Sequence, residues 1–288
     1  MNNLSKLAAG TMNWGTWGKN LSPQGMTTLI QACIENGITT FDHADIYGGY
    51  TTEAQFGAAF YNNGISRSSV QFVTKCGIQY PCEGRDIPIK HYDYSKSYII
   101  RSVENSLRNL RTDYVDLLLL HRPSPLMIAE EIAEAVAQLK TAGKLLNFGL
   151  SNFTASQTDL IRQEIPVLYN QIQFSVTHNE AMTNGSLDHM QVHGITPMAW
   201  NPLGNVFRDD TEQSTRLKEL LVVLQEKYNA SADVILLAWI LKHPAGIIPV
   251  FGTADVERIK NVAKATEIIL DKEDWFSLWV ESRGCKVP

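Results

Sequence analysis

The sequence predicts a single (β/α)8 barrel domain that takes up the whole chain, residues 1–288, with extra helices. Eight short apolar runs alternate with amphipathic stretches, and that number of βα units suits a closed barrel of this length. The runs are dense in apolar residues instead of alternating with polar ones, as in strands buried on both faces. The alternative is an open doubly wound sheet. No G-x-G-x-x-G pattern follows any run, so the dinucleotide fingerprint of that fold is missing.

The predicted strands are short runs rich in Val, Ile, Leu and Phe. In chain order they are residues 7–11, 39–43, 70–75, 115–121, 146–151, 168–174, 197–200 and 247–252. Several of them finish with a charged or polar side chain, which packing of an apolar strand does not require.

The predicted helices carry apolar residues every three or four positions. The clearest are residues 25–36, 95–111, 129–142 and 255–265. Gly37 and Gly143 follow the first and third, where a C-terminal glycine belongs, and Asp255 suits an N-cap of the fourth. Residues 216–242 are expected to form two helices in a row, and residues 271–283 one more beyond the last barrel helix.

Composition and charge exclude several classes of protein. With 25 Lys and Arg against 30 Asp and Glu, the net charge of −5 gives no basic surface for nucleic acid. The longest apolar run, 234–241, is far below the roughly 20 residues of a membrane span, and residues 1–6 lack the apolar stretch of a signal peptide. The four cysteines have irregular spacing and fit reduced thiols. We therefore expect a cytoplasmic protein, a monomer by default, with neither a nucleic acid nor a membrane as partner.

Polar side chains recur at the ends of the predicted strands. They are Asp42, Lys75, His121, Ser151 with Asn152, and Gln171. The C-terminal ends of all strands in a βα barrel meet on one face, so these residues are expected to converge in one pocket. Taken singly, Asp42 could cap a loop, Lys75 could extend to solvent and His121 could bond to backbone. Taken together, Asp42 and Lys75 can pair and offset the cost of burying each charge.

Tyr47 follows Asp42 by five residues, and its hydroxyl can turn over the same pocket from the loop above the second strand. A phenol with a pKa of about 10 is a weak proton donor at neutral pH. The Lys75 ammonium, held by Asp42, is expected to lower the pKa of Tyr47. His121 could orient a carbonyl oxygen beside the phenol. The four side chains therefore predict a general acid for a developing alkoxide, the task of a carbonyl reductase.

Two neighbouring residues are rivals for these roles. His43 and Asp45 lie in the same stretch, and Asp45 could be the carboxylate partner of Lys75. Asp42 is preferred because a residue at the strand tip can point into the barrel mouth. No metal is expected, because His43, Asp45 and Cys76 form no ligand set with recognisable spacing.

Motifs along nearly the whole chain resemble one family. They are Gly10-Thr11-Met12, Phe41-Asp42-His43-Ala44-Asp45-Ile46-Tyr47-Gly48, Thr74-Lys75-Cys76-Gly77, Leu118-Leu119-Leu120-His121-Arg122-Pro123, Phe148-Gly149-Leu150-Ser151-Asn152-Phe153, Asn170-Gln171, Trp200-Asn201-Pro202-Leu203-Gly204 and Pro249-Val250-Phe251-Gly252-Thr253 with Arg258. Each is weak alone, but their order at successive strand ends is specific. The sequence resembles the aldo-keto reductases, NAD(P)H-dependent enzymes on a (β/α)8 barrel. The run from Asp42 to Tyr50 resembles a branch of uncharacterised bacterial oxidoreductases in that family.

The resemblance implies a role for each matching residue. Tyr47 would donate the proton, Lys75 and Asp42 would lower its pKa, and His121 would position the substrate carbonyl. The implied cofactor residues are Thr11, Met12, Ser151, Asn152, Gln171, Trp200, Leu203, Gly204, Gly252, Thr253 and Arg258.

Within the cofactor set, the resemblance assigns each part of the dinucleotide. The hydroxyl and amides of Ser151, Asn152 and Gln171 would bind the nicotinamide carboxamide, because they both donate and accept hydrogen bonds. Trp200 would stack under the nicotinamide ring. The backbone at 203–204 would approach the pyrophosphate. Gly252, Thr253 and Arg258 would take the 2′-phosphate, which the guanidinium fork can grip bidentately.

Two departures from the family pattern bear on cofactor choice. Many NADPH-selective relatives carry a lysine just before the Ser or Thr of the last strand, whereas Gly252 precedes Thr253 here. They often carry Glu-Asn past the arginine, where this chain has Asn261-Val262. NADPH is still predicted over NADH, which stays open as an alternative, because Thr253 and Arg258 are present.

The predicted function is NADPH-dependent reduction of an aldehyde or ketone, a small-molecule carbonyl substrate, to an alcohol. Trp14, the loop 76–94 and the C-terminal tail 285–288 are expected to wall the substrate pocket, and the loop could close as a lid. Two other functions stay open. One is a nicotinamide-binding regulatory or redox-sensing protein with little turnover. The other is a lyase that forms a Schiff base on Lys75, which needs a lowered lysine pKa that Asp42 would oppose.

Overall fold

The computed structural model describes residues 4–287, which contain ten strands and eleven α-helices. Two predictions fall partly outside the described residues. Residues 1–3 belong to the N-terminal stretch that lacks a signal-peptide pattern, and Pro288 belongs to the tail expected to wall the pocket. The strands are β1 (Ala8–Gly10), β2 (Thr40–Asp42), β3 (Gln71–Cys76), β4 (Ile78–Gln79), β5 (His91–Tyr92), β6 (Val115–Leu120), β7 (Leu145–Ser151), β8 (Tyr169–Gln173), β9 (Thr196–Trp200) and β10 (Ile248–Phe251). The helices are α1 (Pro23–Glu35), α2 (Tyr47–Tyr50), α3 (Thr52–Tyr61), α4 (Lys96–Leu110), α5 (Ala129–Thr141), α6 (Ala155–Arg162), α7 (Ser186–Val192), α8 (Glu212–Tyr228), α9 (Ala232–Leu241), α10 (Val256–Ala263) and α11 (Lys272–Arg283).

Eight of the strands form a closed barrel in which every neighbouring pair is parallel. Their order around the barrel is β1, β10, β9, β8, β7, β6, β3 and β2, and β2 pairs again with β1. The predicted (β/α)8 fold is confirmed, and each predicted strand is present with ends shifted by no more than about one residue. No helix within residues 4–287 is long and apolar enough to cross a membrane.

The helix signals in the sequence act where they were expected. The Asp255 carboxylate caps α10 by accepting a hydrogen bond from the Arg258 N–H at 2.9 Å. The stretch 216–242 splits into α8 and α9 at Asn229, whose φ of 47° ends the first helix. The loop 76–94 is not wholly irregular, because β4 and β5 pair antiparallel within it. Whether that loop closes as a lid stays a prediction.

The alternation of side chains along the strands decides what enters the barrel. In β3, Phe72 and Cys76 join the apolar layer between sheet and helices, whereas Val73 belongs to the cluster inside the barrel. Lys75 comes two residues after Val73, so its side chain points to the same side of the strand, into the barrel. It lies one layer closer to the C-terminal end of the strands. In β2, Phe41 faces the outer layer, so Asp42 faces inward. This places a carboxylate and an ammonium next to each other at the barrel mouth.

Candidate active site

The buried Lys75 ammonium is the centre of the polar cluster at the C-terminal end of the barrel. Its Nζ donates hydrogen bonds to Asp42 Oδ2 at 2.6 Å, to the His43 carbonyl at 2.8 Å and to the Tyr47 hydroxyl at 3.1 Å. The Lys75 and Asp42 side chains are only 1% and 3% exposed. The three contacts match the three protons of an ammonium, and the ion pair compensates two buried charges.

Tyr47 reaches this cluster because the chain turns sharply after it. Gly48 and Gly49 have φ of 61° and 65°, in the left-handed region that glycine adopts without strain. A Cβ on Gly48 would lie 2.5 Å from Thr52 Oγ1, so no larger side chain fits there. The turn leaves the Tyr47 ring 5.0 Å from Lys75 Nζ and 6.1 Å from the His121 ring, at the partly exposed mouth of the barrel.

The pKa of the Tyr47 phenol corrects one expectation from the sequence. Desolvation raises the pKa of Tyr47 above its ordinary value, and the Lys75 ammonium opposes this rise without cancelling it. Asp42, expected to help lower the pKa, adds to the rise because its negative charge disfavours a phenolate. The phenol therefore keeps its proton at neutral pH and is present as a donor.

Lys75 itself is held in the charged form. Burial pulls the pKa of the Lys75 ammonium down, but the charges and hydrogen bonds of Asp42 and Tyr47 outweigh burial, and the net pKa is raised. A Schiff-base nucleophile needs a free amine, which requires a lowered lysine pKa. The contacts of Lys75 therefore argue against the lyase alternative.

His121 also lies at the barrel mouth, one residue past the end of β6. Burial lowers the pKa of His121 well below its ordinary value, and the Lys75 charge adds to this effect. The imidazole is therefore neutral at physiological pH, with one N–H to donate. Its buried Nδ1 has no hydrogen-bond partner within residues 4–287. A neutral ring beside the Tyr47 phenol can direct a hydrogen bond at a carbonyl oxygen.

A second group of polar residues continues from Asp42 across the neighbouring strand ends. Gln171 Nε2 donates to Asp42 Oδ1 at 2.9 Å, so both carboxylate oxygens are bonded. Asn152 Nδ2 donates to Ser151 Oγ at 2.8 Å, and Trp200 Nε1 donates to Asn152 Oδ1 at 2.8 Å. The predicted nicotinamide residues therefore lie along the ends of β7, β8 and β9, next to the Lys75 cluster.

The remaining predicted cofactor residues lie in the loops after β9 and β10. Gly204 has φ of 57°, and a Cβ there would lie 2.0 Å from Thr177 Oγ1, so only glycine fits at this position. Gly252 is exposed, and its nearest neighbour in the direction of a Cβ is Asn13 Nδ2 at 3.5 Å. The stretch 254–257 borders a surface depression shared with the start of α1. Leu203 and Thr253 are half-buried beside these loops.

Arg258 lies on the exposed first turn of α10. Within the described residues, its guanidinium forms no ion pair and no hydrogen bond. A positive fork beside a helix N-terminus is a suitable environment for a phosphate group.

Two predicted contact residues do not reach the mouth. Trp14 is fully buried, with its ring 6.3 Å from Phe41 and 6.2 Å from Phe56, so the expectation that it lines the substrate pocket is wrong. Thr11 is also fully buried, and its hydroxyl lies 3.1 Å from the Asp42 carbonyl and 2.9 Å from His43 Nδ1. It supports the site from beneath and has no surface for a cofactor. Met12, next to it, is 43% exposed.

Trp17 occupies the place that the sequence assigned to Trp14. It is 41% exposed, and its ring lies 6.4 Å from Tyr47 and 5.5 Å from Tyr80. The two tryptophans are three residues apart in one loop, and nothing in the spacing indicates which of them faces out. Tyr80 is the second aromatic wall, and it comes from the loop 76–94 that the sequence predicts to border the pocket.

The side chains of the two rival residues face away from the Lys75 cluster. Asp45 makes no contact with the Lys75 ammonium and instead accepts hydrogen bonds from Ser102 at 3.1 Å and Tyr98 at 3.3 Å. Desolvation and the nearby Glu53 carboxylate raise the pKa of Asp45 to about 7. His43 packs edge-on to Phe56, and burial lowers its pKa to about 3. Asp42 is therefore the carboxylate that meets Lys75.

Comparisons with known proteins agree with this geometry. Residues 6–278 match the model of the Aldo/keto reductase family. The chain is 42% identical to the uncharacterized oxidoreductase YcsN of Bacillus subtilis (strain 168), over 99% of this chain and 96% of that protein. It is 38% identical to a 6-dehydroglucose reductase of Agrobacterium fabrum, over 98% and 97% of the two chains. Its fold is similar to that of a thermostable aldo-keto reductase crystallised with the inhibitor epalrestat, with a TM-score of 0.83, 27% identity and coverage of 96% and 95%.

Proposed function

The chain belongs to the aldo/keto reductase family, a family of NAD(P)H-dependent oxidoreductases, and on that premise we propose that it reduces an aldehyde or ketone to an alcohol with NADPH. Tyr47 is the proposed proton donor. The observation that carries the proposal is the 3.1 Å contact of the Tyr47 hydroxyl with the buried Lys75 ammonium, beside His121. Such a site suits an oxygen atom that gains negative charge during the reaction.

In the proposed mechanism, the residues of the chain act on the carbonyl oxygen. A bound reduced nicotinamide supplies hydride for the carbonyl carbon. The neutral His121 donates a hydrogen bond that orients the carbonyl oxygen. Tyr47 transfers its proton to that oxygen as charge develops, and the raised pKa keeps the proton on the phenol until then. Lys75, fixed by Asp42 and the His43 carbonyl, stabilises the phenolate that remains.

The residues around the mouth fit a dinucleotide in chemical terms. The amides and hydroxyl at 151–152 and 171 are complementary to a carboxamide, and Trp200 offers an aromatic face. The exposed Gly252, assigned to the 2′-phosphate, offers backbone with no side chain, and the tight turn that only glycine permits at 204 carries the backbone that would approach the pyrophosphate. The unpaired Arg258 guanidinium at the start of α10 supports a 2′-phosphate and hence NADPH.

The aromatic walls bear on the substrate class. Trp17 presents its ring at the mouth, 6.4 Å from the Tyr47 ring, and Tyr80 packs on Trp17. Such surfaces pack well against the C–H face of a sugar while the polar edges remain free for hydrogen bonds. One relative is named as a 6-dehydroglucose reductase. We therefore propose an aldehyde derived from a sugar as the first substrate to test, with simple aldehydes and ketones beside it.

The experiment is steady-state oxidation of NADPH across a panel of carbonyl compounds that includes 6-dehydroglucose. Turnover with at least one member of the panel is expected. Tight binding of NADPH with no turnover on any of them would instead favour the regulatory or redox-sensing alternative. A monomeric state and a cytoplasmic location remain predictions from the sequence.

Replacing Arg258 with Ala is expected to reduce the preference for NADPH over NADH by about 10- to 100-fold, the effect of losing charge-assisted hydrogen bonds to one phosphate. The measurement is the ratio of the two cofactor affinities in the variant and the parent. Lys260→Ala is the matched control, because Lys260 is a cation on the same helix that pairs with Glu257 at 2.8 Å. An unchanged ratio in Arg258→Ala would exclude Arg258 from the 2′-phosphate site.

A further inference from the structure

A carboxylate and two imidazoles cluster on two neighbouring outer helices, separate from the barrel mouth. Asp159 lies in α6, His189 lies in α7, and His193 directly follows α7. His189 Nε2 is 2.9 Å and His193 Nε2 is 3.8 Å from the same oxygen, Asp159 Oδ1. The two imidazole rings are 4.5 Å apart between centroids. The proposed reductase chemistry does not use this arrangement.

The backbone explains why the two rings meet. The His193 N–H donates to the His189 carbonyl at 3.2 Å, which continues the helical repeat one residue beyond α7. Residues four apart on a helix lie on the same face, so both imidazoles turn towards α6. Asp159 meets them from α6 through its Oδ1. The Asp159 side chain is 48% exposed, so the cluster is open to solvent at one edge.

The three donor atoms lie close enough together for one metal ion to reach all of them. The three donor atoms all lie within 4.8 Å of one another. Donors about 2.0–2.1 Å from a tetrahedral zinc ion are about 3.3–3.4 Å from each other. The two distances to Asp159 Oδ1, 2.9 Å and 3.8 Å, lie on either side of that value, and the two histidine nitrogens lie no more than 4.8 Å apart, so small side-chain movements would complete the geometry.

We propose that Asp159, His189 and His193 bind a divalent transition-metal ion, of which Zn²⁺ is the first to test. Two imidazole nitrogens and one carboxylate oxygen are ligands that zinc accepts, and they leave one position for water. The ion would link α6 to α7, which the chain connects only through β8. The cluster includes none of the residues at the mouth, so the ion would take no part in the proposed reduction.

Arg162 gives this proposal a distinctive consequence. Its Nη1 lies 3.3 Å from Asp159 Oδ1, one turn along α6, and therefore competes with a cation for that oxygen. Arg162→Gln removes this charge and is expected to tighten Zn²⁺ binding several-fold. If the cluster were only an ion pair on the surface, the same change would weaken the cluster and would not improve binding of a metal.

The test is a titration of the full-length, tag-free, chelator-treated protein with Zn²⁺ in competition with a chromophoric chelator. One equivalent is expected to bind, and His189→Ala and His193→Ala are each expected to lower the affinity at least about tenfold. His178→Ala is the matched control, because His178 is a surface histidine 3.5 Å from Glu180 and outside the cluster. Saturating Zn²⁺ is also expected to raise the Tm of the parent but not of the double variant His189→Ala/His193→Ala.

Three results would overturn the proposal: no stoichiometric binding to the parent, binding that survives in the double variant, or equal losses in His178→Ala. Titration with Co²⁺ adds a check on geometry, since a tetrahedral site gives an intense visible absorption that an octahedral aquo ion does not. None of these measurements uses NADPH or a carbonyl compound, so their outcome is independent of the proposed reductase activity.

Discussion

Replacing Tyr47 with Phe is expected to lower the turnover of carbonyl reduction by about 100- to 10,000-fold, the range of a lost general acid. The hydroxyl is the group of this ring that contacts Lys75, at 3.1 Å, and the turn at Gly48 and Gly49 positions the ring independently of that contact. NADPH affinity is expected to remain unchanged, because the proposed cofactor contacts lie along β7, β8, β9 and the start of α10. The measurements are kcat, KM and the dissociation constant of NADPH.

Tyr80→Phe is the control for this substitution. Tyr80 stands at the same mouth and also carries a phenol, but its ring packs on Trp17 and its hydroxyl makes no contact with Lys75. Its loss is expected to change KM modestly and kcat little. Full turnover in Tyr47→Phe would remove Tyr47 from the role of acid. An equal loss in both variants would indicate a general effect of the aromatic wall.

The positions of the proposed catalytic side chains were predicted from the strand ends, which all meet on one face of a barrel, and the period of two along each strand is what turns these side chains inward. In β2, the apolar Phe41 belongs to the outer layer, so the next residue, Asp42, had to face the barrel interior. In β3, Lys75 shares its parity with Val73, which faces inward. Runs buried on both faces are also easy to delimit, and this explains why the strand ends were predicted so closely.

Loops have no such periodicity, so the sequence could not predict which of their side chains face the barrel mouth. Trp14 and Trp17 have similar sequence environments, yet the first packs against Phe41 and Phe56 while the second lies at the mouth. The helices α2, α3, α6 and α7 were not delimited, because with four to ten residues each they offer few turns over which a helical period can be recognised. The direction of the Tyr47 pKa depends on desolvation against the Lys75 charge, a balance that only the packed structure supplies.

The Asp159 cluster could also be predicted only in part from the sequence. The spacing of His189 and His193 is visible in the sequence and suits one helical face. Their partner Asp159 lies 30 positions earlier, on a different helix, and only the packing of α6 against α7 brings the carboxylate to them. The pair could therefore suggest a metal from sequence, but the third ligand could not be assigned.

Replacing Lys75 with Met is expected to destabilise the fold by about 3–5 kcal/mol, because it leaves the buried Asp42 carboxylate without its counter-charge. Among residues 4–287, only the hydrogen bond from Gln171 would remain on that carboxylate. Reduction is expected to fall at least as far as in Tyr47→Phe, because the phenolate left after proton transfer would lose the adjacent ammonium. The measurements are the free energy of unfolding in urea and single-turnover reduction with cofactor in excess.

A loss of activity in Lys75→Met alone could simply follow from poor folding, so the double variant Asp42→Asn/Lys75→Met decides the question. A neutral amide next to an apolar stem removes the unpaired charge, and the amide oxygen can still accept from Gln171. Most of the lost stability is therefore expected to return, as is common when both partners of a buried ion pair are replaced. Activity is not expected to return, because the ammonium that contacts the Tyr47 hydroxyl would be gone. A stable double variant that reduces carbonyls at the parent rate would show that the ion pair serves the fold and not the chemistry.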